Sequence, residues 1–216
     1  MGVPVLLIGE SGTGKSTSLR NFKPDEIGVI NVLGKPLPFR GKFNQVKTKD
    51  VELIKRALSG AKNTRSFVID DFGYTITDTY MRGSYGAEKF RDQYEVFKKI
   101  GSEAYNLITF VQTETPDDAI VYFVMHSTIE NGQIVPATVG KMLNEKINLV
   151  GMFTITIYAT IQDGEYKFIV NGMPPAKSPE GMFPGEAIDN DLKAVDSAIR
   201  EYWGMRPIVD GEQDAQ

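Results

Sequence analysis

The feature that most constrains this chain is an apolar run that ends in a glycine-rich loop. Residues 3–8 read V-P-V-L-L-I and lead directly into G-E-S-G-T-G-K-S at 9–16. A short, uninterrupted apolar run is typical of a strand buried on both faces of a parallel sheet. The octapeptide matches G-x-x-x-x-G-K-[ST], the phosphate-loop pattern, at every fixed position. The sequence therefore predicts a strand, a phosphate-binding loop and a helix over about 15–22 that stops before Pro24.

Each part of this loop suits a triphosphate. Backbone N–H groups in such a loop point inward, and a following helix N-terminus adds positive potential. Gly12 and Gly14 let the backbone wrap a phosphate, Lys15 would reach the β- and γ-phosphates, and the Ser16 hydroxyl would bind Mg²⁺. The candidate nucleotide-binding residues are Gly9, Glu10, Ser11, Gly12, Thr13, Gly14, Lys15, Ser16 and Thr17.

A second run supplies carboxylates for the same site. S-F-V-I-D-D at 66–71 is a buried strand ending at Asp70, the predicted second magnesium ligand, although many buried strands simply end in Asp. Hydrolysis also needs a group that orients the attacking water. Asp71 is the first candidate and Glu10 the second. His126 follows another apolar strand, and two interpretations stay open for it: a sensor of the γ-phosphate or a structural residue.

The amino-acid composition excludes several other kinds of functional site. The 216 residues contain no cysteine and one histidine, which excludes disulfides, thiolate zinc sites and a cysteine nucleophile. A net charge of −4 argues against wholesale capture of nucleic acid but leaves room for a local basic groove. No apolar run approaches the ~20 residues of a membrane span, and the N-terminus does not resemble an export signal. We therefore expect a cytoplasmic protein that does not contact membranes.

Strand-like and helix-like segments alternate along the chain, which predicts an α/β fold with a mostly parallel sheet flanked by helices. Tyr166–Asn171 and the strand before it are joined by a turn at 162–165, which predicts a C-terminal antiparallel hairpin. Residues 126–140 and 173–185 are predicted as loops. We expect residues 1–204 to form one core and 205–216 an acidic tail. The remaining predicted strands are 27–33, 43–48, 66–69 and 119–125, and the remaining predicted helices are 51–58, 90–111, 141–149 and 191–203.

Five segments together resemble a known family. They are G-E-S-G-T-G-K-S at 9–16, I-D-D at 69–71, M-H-S at 125–127, G-K-M-L-N-E-K at 140–146 and A-K-S-P-E-G-M-F at 176–183. The sequence resembles the RecA-like ATPase core, and more narrowly the small phage ATP-binding proteins treated as core-only recombinases or single-strand annealing proteins. That resemblance implies a RecA-like P-loop fold, ATP and Mg²⁺ as cofactors, and DNA-stimulated ATP hydrolysis. It also implies single-stranded DNA as partner, a homo-oligomer, a phage single-strand binding protein as a further partner, and the cytoplasm of an infected bacterium.

The resemblance also assigns roles to polar residues outside the phosphate loop. DNA-binding loops are implied within 74–89 and over 127–139, with Tyr80, Arg82, Tyr85, Lys89 and Ser127 as candidate contacts. The stretch 80–99 carries five basic and three acidic residues, which also fits an ordinary solvated helix face. A basic residue reaching a neighbouring subunit's ATP is assigned to Lys141 or Lys177, with plain surface charge as the alternative.

Two departures from the family keep other functions open. RecA-like ATPases usually carry a glutamate at the end of the strand after the phosphate loop, but residues 27–33 contain none and the next is Glu52, which puts efficient hydrolysis in question. The filament-forming segment that precedes the core in this family is also not found ahead of residue 9. The alternatives are an AAA-type helicase loader or another replication ATPase, and a nucleotide-gated binding module without catalysis.

Overall fold

One mixed β-sheet organises the chain. The computed structural model describes residues 1–61, 63–85, 93–139 and 147–208. In these residues the strands are β1 (Val3–Gly9), β2 (Ile27–Asn31), β3 (Gln45–Val46), β4 (Ser66–Asp70), β5 (Ile120–Glu130), β6 (Gln133–Pro136), β7 (Ile155–Gln162), β8 (Glu165–Ile169) and β9 (Ala187–Asp189).

The strand that precedes the phosphate loop lies inside this sheet. The order is β3-β2-β4-β5-β1-β7-β8-β9, with β6 paired to β5 outside that path. Pairs among β1, β2, β3, β4, β5 and β7 are parallel, whereas β7-β8, β8-β9 and β5-β6 are antiparallel. The predicted mostly parallel α/β sheet with a C-terminal antiparallel hairpin is therefore confirmed.

Helices cover both faces of the sheet. The α-helices of the described residues are α1 (Val51–Gly60), α2 (Gly73–Tyr85), α3 (Gln93–Glu114) and α4 (Leu192–Tyr202). Short 3₁₀ helices occupy Ser16–Asn21 and Leu149–Met152. The side chains of Asp50 and Asp191 accept hydrogen bonds from backbone N–H groups of α1 and α4, respectively. Each carboxylate satisfies donors that the first turn leaves unpaired, and so fixes where its helix begins.

Side chains of β1 alternate between two hydrophobic cores. Leu6 and Ile8 belong to the core formed with α1, α2 and α3, whereas Val5 and Leu7 belong to the core formed with α4 and the first 3₁₀ helix. All four are fully buried. Since a shift of one residue would exchange the two sets, the register of β1 is strongly specified. The strand therefore delivers the loop at Gly9 to a fixed place at the carboxyl edge of the sheet.

The structure corrects three predicted segments. The segment 126–140 was expected to be a loop, and this prediction is wrong over most of its length. β5 continues to Glu130 and pairs with β6, turning at Asn131 and Gly132 with φ of 50° and 76°. An Asn-Gly pair with positive φ at both residues is the usual sequence of a two-residue hairpin turn. The helix expected to reach residue 22 is a six-residue 3₁₀ helix, and residues 74–85, which fall within a predicted DNA-binding loop, belong to α2. In addition, the sequence did not predict β9.

Candidate functional site

A polar cavity of about 1170 Å³ opens at the carboxyl ends of the central strands. Parallel strands present ligand sites at this edge because their loops converge there. The register places Gly9 beside His126 of β5, and Asn31 of β2 beside Asp70 of β4. The lining residues are Ser11, Gly12, Gly14, Lys15, Ser16, Thr17, Arg20, Lys35, Pro36, Pro38, Asp70, Asp71, Tyr74, His126, Glu165, Tyr166, Lys167, Asp189 and Asn190.

The phosphate loop has the backbone shape that its glycines predict. Gly12 and Gly14 have φ of 84° and 82°, a region that residues with a Cβ rarely adopt. A Cβ at Gly14 would also lie about 3.0 Å from the Tyr166 ring and 3.1 Å from the Asn190 amide. Nothing lies within 4 Å of a Cβ built at Gly12. A side chain would therefore find open space at Gly12, whereas at Gly14 it would meet Tyr166 and Asn190, which line the same cavity.

Lys15 lies folded back onto its own loop. Its ammonium donates hydrogen bonds to the carbonyl oxygens of Gly9, at 2.8 Å, and Glu10, at 2.6 Å. The residue is 7% exposed, and burial lowers the pKa of its ammonium to about 8 although Asp71 and Asp70 oppose that shift. A buried cation whose pKa is lowered gains strongly when an anion arrives. An anion close to Lys15 would therefore stabilise its charged form.

Ser16 and Asp70 form the second half of the site. The Ser16 hydroxyl donates to Asp70 Oδ1 at 2.9 Å, which joins the loop to the end of β4. Burial, and then the charge of Asp71, raises the pKa of Asp70 to about 6. A hydroxyl and a buried carboxylate are oxygen ligands of the kind that Mg²⁺ prefers, and a cation there would offset both effects. The residues present therefore fit magnesium. In the described residues no group of three or more His, Cys, Asp or Glu side chains offers a metal site without phosphate ligands.

Asp71 occupies a strained position between two basic side chains. Its φ is 62°, a left-handed conformation that costs free energy at a residue other than glycine. Asp71 Oδ2 lies 3.4 Å from Lys35 Nζ, and Asp71 Oδ1 lies 3.7 Å from His126 Nε2. Burial and the charge of Lys15 lower the pKa of His126, so the imidazole is neutral at pH 7. Asp71 can therefore accept further hydrogen bonds from a molecule in the cavity.

Three of the four candidate catalytic residues line the cavity. Lys15, Asp71 and His126 all line the cavity, as do five further residues of the predicted loop. The Glu10 side chain is exposed and does not line the cavity, whereas its backbone carbonyl accepts a hydrogen bond from Lys15. Thr13 is buried beneath the loop, where its hydroxyl donates to the Glu10 carbonyl oxygen at 2.8 Å. Of the two predicted water-orienting carboxylates, only Asp71 faces the site.

The candidate DNA contacts are dispersed. Tyr80 packs against Phe97 of α3 with ring centroids 5.8 Å apart, and Arg82 pairs with Asp78 at 2.9 Å. Tyr85 is 76% exposed at the end of α2. Residues 73–85 are helical, so a DNA-binding loop within 74–89 does not include them.

Three other predicted contacts lie elsewhere. Ser127 begins the β5-β6 hairpin, opposite Pro136. Lys177 is half-buried and forms a bridge with Thr156 of β7, away from the cavity lining. Lys89 and Lys141 lie outside the described residues.

Sequence reasoning missed several residues of the cavity. Lys35 lies beside Asp71 and Tyr74, whereas Tyr166 and Asn190 lie close to Gly14, and Arg20 donates to the Asn190 carbonyl oxygen. These five belong to no motif. Lys35 follows β2 by four residues, and the rule that ligands bind at the carboxyl ends of parallel strands was the one signal that could have found it. Tyr166 and Asn190 carried no such signal, because antiparallel strands bring them to the site.

Comparisons with known proteins add little to this geometry. No protein-family model matches the sequence, and no curated protein matches it. A solved structure of a KaiC-like protein from the archaeon Pyrococcus horikoshii OT3 is 16% identical, with 87% of this chain and 88% of that chain covered and a TM-score of 0.45. The α/β fold assignment therefore stands on the strand order itself. None of the described helices has the length and apolar character to cross a membrane.

Proposed function

We propose that this chain is a magnesium-dependent ATP-binding protein that acts on single-stranded DNA and hydrolyses ATP slowly, in phage recombination or annealing. The observation that carries the nucleotide part is the meeting of three features at one sheet edge. These are the open phosphate loop, the buried ammonium of Lys15, and the Ser16–Asp70 pair at 2.9 Å. A triphosphate with bound magnesium requires a loop that binds its phosphates and, beside that loop, oxygen ligands for the metal.

The chemistry follows from these side chains. Backbone N–H groups of the loop would hold the phosphates while Lys15 exchanges its two carbonyl partners for phosphate oxygens. Ser16 and Asp70 would hold the magnesium, which when bound neutralises charge on the β- and γ-phosphates. Asp71 would orient the water that attacks the γ-phosphorus. A neutral His126 beside Asp71 would respond to the terminal phosphate through a hydrogen bond.

The continuity of β5 supports coupling between nucleotide and DNA. His126 lines the cavity, and the strand continues from the next residue into the β5-β6 hairpin. Ile129 on that hairpin is 67% exposed, and Glu130 is the only charged residue from 127 to 136. A displacement of His126 would therefore move a protruding, nearly uncharged element. We expect this hairpin and the exposed Tyr85 to contact DNA, and we expect the protein to assemble on it as a homo-oligomer.

The direct test measures ATP binding and phosphate release with and without single-stranded DNA. We expect binding of ATP with magnesium, slow release of phosphate and stimulation by DNA. Tyr85→Ala should weaken DNA binding about fivefold or more, since stacking of one base contributes roughly 1–3 kcal/mol. Tyr105→Ala is the matched control, because Tyr105 is 51% exposed on α3 and lies outside the predicted DNA contacts. Failure to bind DNA at low salt with ATP present would refute the DNA role.

A nucleotide-gated binding module without catalysis is the second candidate, and Asn31 is the observation that favours it. Asn31 ends β2 directly beside Asp70, where the RecA-like resemblance leads us to expect a glutamate. A carboxamide cannot take a proton from water as a carboxylate can. Under this alternative, ATP stabilises one conformation of the hairpin and no phosphate is released. Tight ATP binding, with ATP-dependent partner binding but no turnover in any condition, would select this candidate.

A further inference from the structure

We propose that Lys35 is a second phosphate-binding cation of the cavity, which pairs with Asp71 in the free protein and transfers to the terminal phosphate of a bound nucleoside triphosphate. The inference rests on the proposed nucleotide-binding function and adds to it. It gives the site a means of distinguishing a triphosphate from a diphosphate within one chain, without a basic residue from a neighbouring subunit.

Lys35 lines the same cavity as the phosphate loop. Its ammonium is 3.4 Å from Asp71 Oδ2 and 5.5 Å from the centroid of the Tyr74 ring. The Lys35 side chain is 61% exposed, so the ion pair is solvated and contributes little to the stability of the fold. Exposure leaves the ammonium free to exchange Asp71 for a better anion.

The backbone of Lys35 is held in place even though its side chain is solvated. Asn31 is 3% exposed, and its Nδ2 donates to the Lys35 carbonyl oxygen at 2.6 Å and to Gln45 Oε1 at 2.8 Å. Pro36 and Pro38 follow, and each ring fixes one backbone dihedral angle of the wall. Asn31 therefore anchors this wall to the strand beside Asp70. The residue that replaces the expected glutamate acts as a positioning residue for Lys35.

Charge explains why the ammonium would move. Without ligand, Lys15 and Lys35 face Asp70 and Asp71 in one cavity, so the four charges balance. A terminal phosphate brings close to two negative charges and three acceptor oxygens, whereas Asp71 offers one charge. A diphosphate would leave the region beside Asp71 unfilled if its last phosphate were held by the loop and Lys15, as the proposed function requires. Lys35, on a flexible four-carbon stem, would therefore respond to the third phosphate and much less to the second.

Transfer of Lys35 has a consequence for Asp71. While the ammonium pairs with Oδ2, that oxygen is occupied and the Asp71 carboxylate is partly neutralised. After transfer, both carboxylate oxygens are free to accept hydrogen bonds from water. The Asp71 carboxylate would thus be better able to orient water when a triphosphate is bound than in the free protein.

The test compares the affinities of the β,γ-imido analogue of ATP and of ADP, both with magnesium, in the wild type, Lys35→Ala and Lys35→Arg. We expect Lys35→Ala to weaken binding of the triphosphate analogue about tenfold and that of ADP less than about threefold, the scale of one charge-assisted hydrogen bond. Lys35→Arg should retain most of the preference for the triphosphate analogue over ADP, because it keeps the positive charge. Lys42→Ala is the matched control, because Lys42 is exposed on the same segment and does not line the cavity.

The outcomes separate this inference from the proposed function. Equal losses for the two nucleotides, or no loss for either, would overturn the role of Lys35 while leaving nucleotide binding intact. A wild-type protein that binds neither nucleotide would instead refute the proposed function. Asn31→Ala should reduce the triphosphate preference in the same direction as Lys35→Ala. Asn31→Asp keeps a side-chain oxygen but loses the N–H donor to the Lys35 carbonyl. This variant should therefore show the same reduced preference for the triphosphate as Asn31→Ala.

Discussion

Arg200 and Lys15 are both cations that lie almost out of contact with water, at 3% and 7% exposure, but their surroundings differ. Arg200 donates to Asp196 Oδ1 at 2.6 Å, and its other N–H groups reach Ser66 Oγ and three backbone carbonyls. Each of the five guanidinium donors therefore has an acceptor. The second oxygen of Asp196 accepts from the Tyr122 hydroxyl at 3.0 Å. This cluster is complete without any ligand and joins α4 to β4 and β5.

At the phosphate loop, by contrast, the buried cation does not have a partner for each of its hydrogen-bond donors. The Lys15 ammonium has three donors and uses two of them on carbonyls of its own loop. Burial lowers the pKa of Lys15 to about 8 and raises that of Asp70 to about 6, so neither charge is fully compensated. Burial also raises the pKa of Asp196, so it is the full set of hydrogen-bond partners, and not the pKa shift, that distinguishes the Arg200 cluster. Removal of one member of such a cluster leaves the other charge buried without its partner. A buried charge that lacks partners marks the place where a ligand supplies them.

The largest expected effect lies in the complete cluster. Arg200→Met should lower the free energy of unfolding by about 3–5 kcal/mol, because it leaves the carboxylate of Asp196 buried without its cation. Urea unfolding measures this loss. Arg206→Met is the control, since Arg206 is 59% exposed and pairs with Asp118 at 3.1 Å, and it should cost less than about 1 kcal/mol. Equal, small losses of unfolding free energy in the two variants would show that the Arg200 cluster does not differ from an exposed ion pair.

Lys15→Ala should show the opposite pattern. We expect ATP affinity to fall at least about a hundredfold, because charge-assisted hydrogen bonds of roughly 1.5–3 kcal/mol are lost. The free energy of unfolding without nucleotide should change little, since the ammonium is poorly compensated in the free protein. Calorimetric titration with ATP and urea unfolding measure the two quantities. Retention of ATP affinity would contradict the assignment of this loop.

Asp70→Asn should stabilise the free protein by about 1–3 kcal/mol at pH 7.5, because the ionised carboxylate is disfavoured by burial and by Asp71. The pKa of Asp70 in the folded protein, about 6, lies above the ordinary 3.8. The stability that the wild type loses through ionisation of Asp70 is therefore lost fully above pH 6 and regained below pH 4. The stability difference between wild type and variant should therefore vanish in acid. Asp78→Asn, which breaks exposed pairs with Lys49 and Arg82, should instead be slightly destabilising. A pH-independent difference would refute this explanation.

The smallest expected effect is on the pH dependence of ATP affinity. Phosphate binds the protonated ammonium of Lys15, whose pKa in the free protein is about 8. Above that pH, binding requires uptake of a proton, so affinity should fall up to about tenfold per pH unit. Titrations at pH 7, 8 and 9 measure the slope. Lys15→Arg is the control, because a guanidinium stays charged and should remove the slope even if affinity changes.

The sequence predicted the parts of the site that are local in the chain. The octapeptide ending in Ser16 contains its own conformational requirements, since Gly12 and Gly14 supply the positive φ that the loop needs. An apolar run ending at Asp70 placed that carboxylate at a sheet edge, and parallel strands bring such edges together. The Ser16–Asp70 hydrogen bond followed from those two facts. The β5-β6 hairpin was not predicted because the polar residues that follow Met125 favour a loop, although Asn131-Gly132 is a sequence typical of hairpin turns.

What the sequence by itself determined is the chemistry of the anion site, because residues adjacent in the chain fix their own backbone geometry. Only the tertiary structure decided which distant side chains complete that site. Asn31 lies beside Asp70 through the β2-β4 register, Lys35 pairs with Asp71, and the Glu10 side chain is exposed. Such contacts depend on strand register and on how loops return over the sheet edge. Both are set by packing of the two hydrophobic cores as a whole.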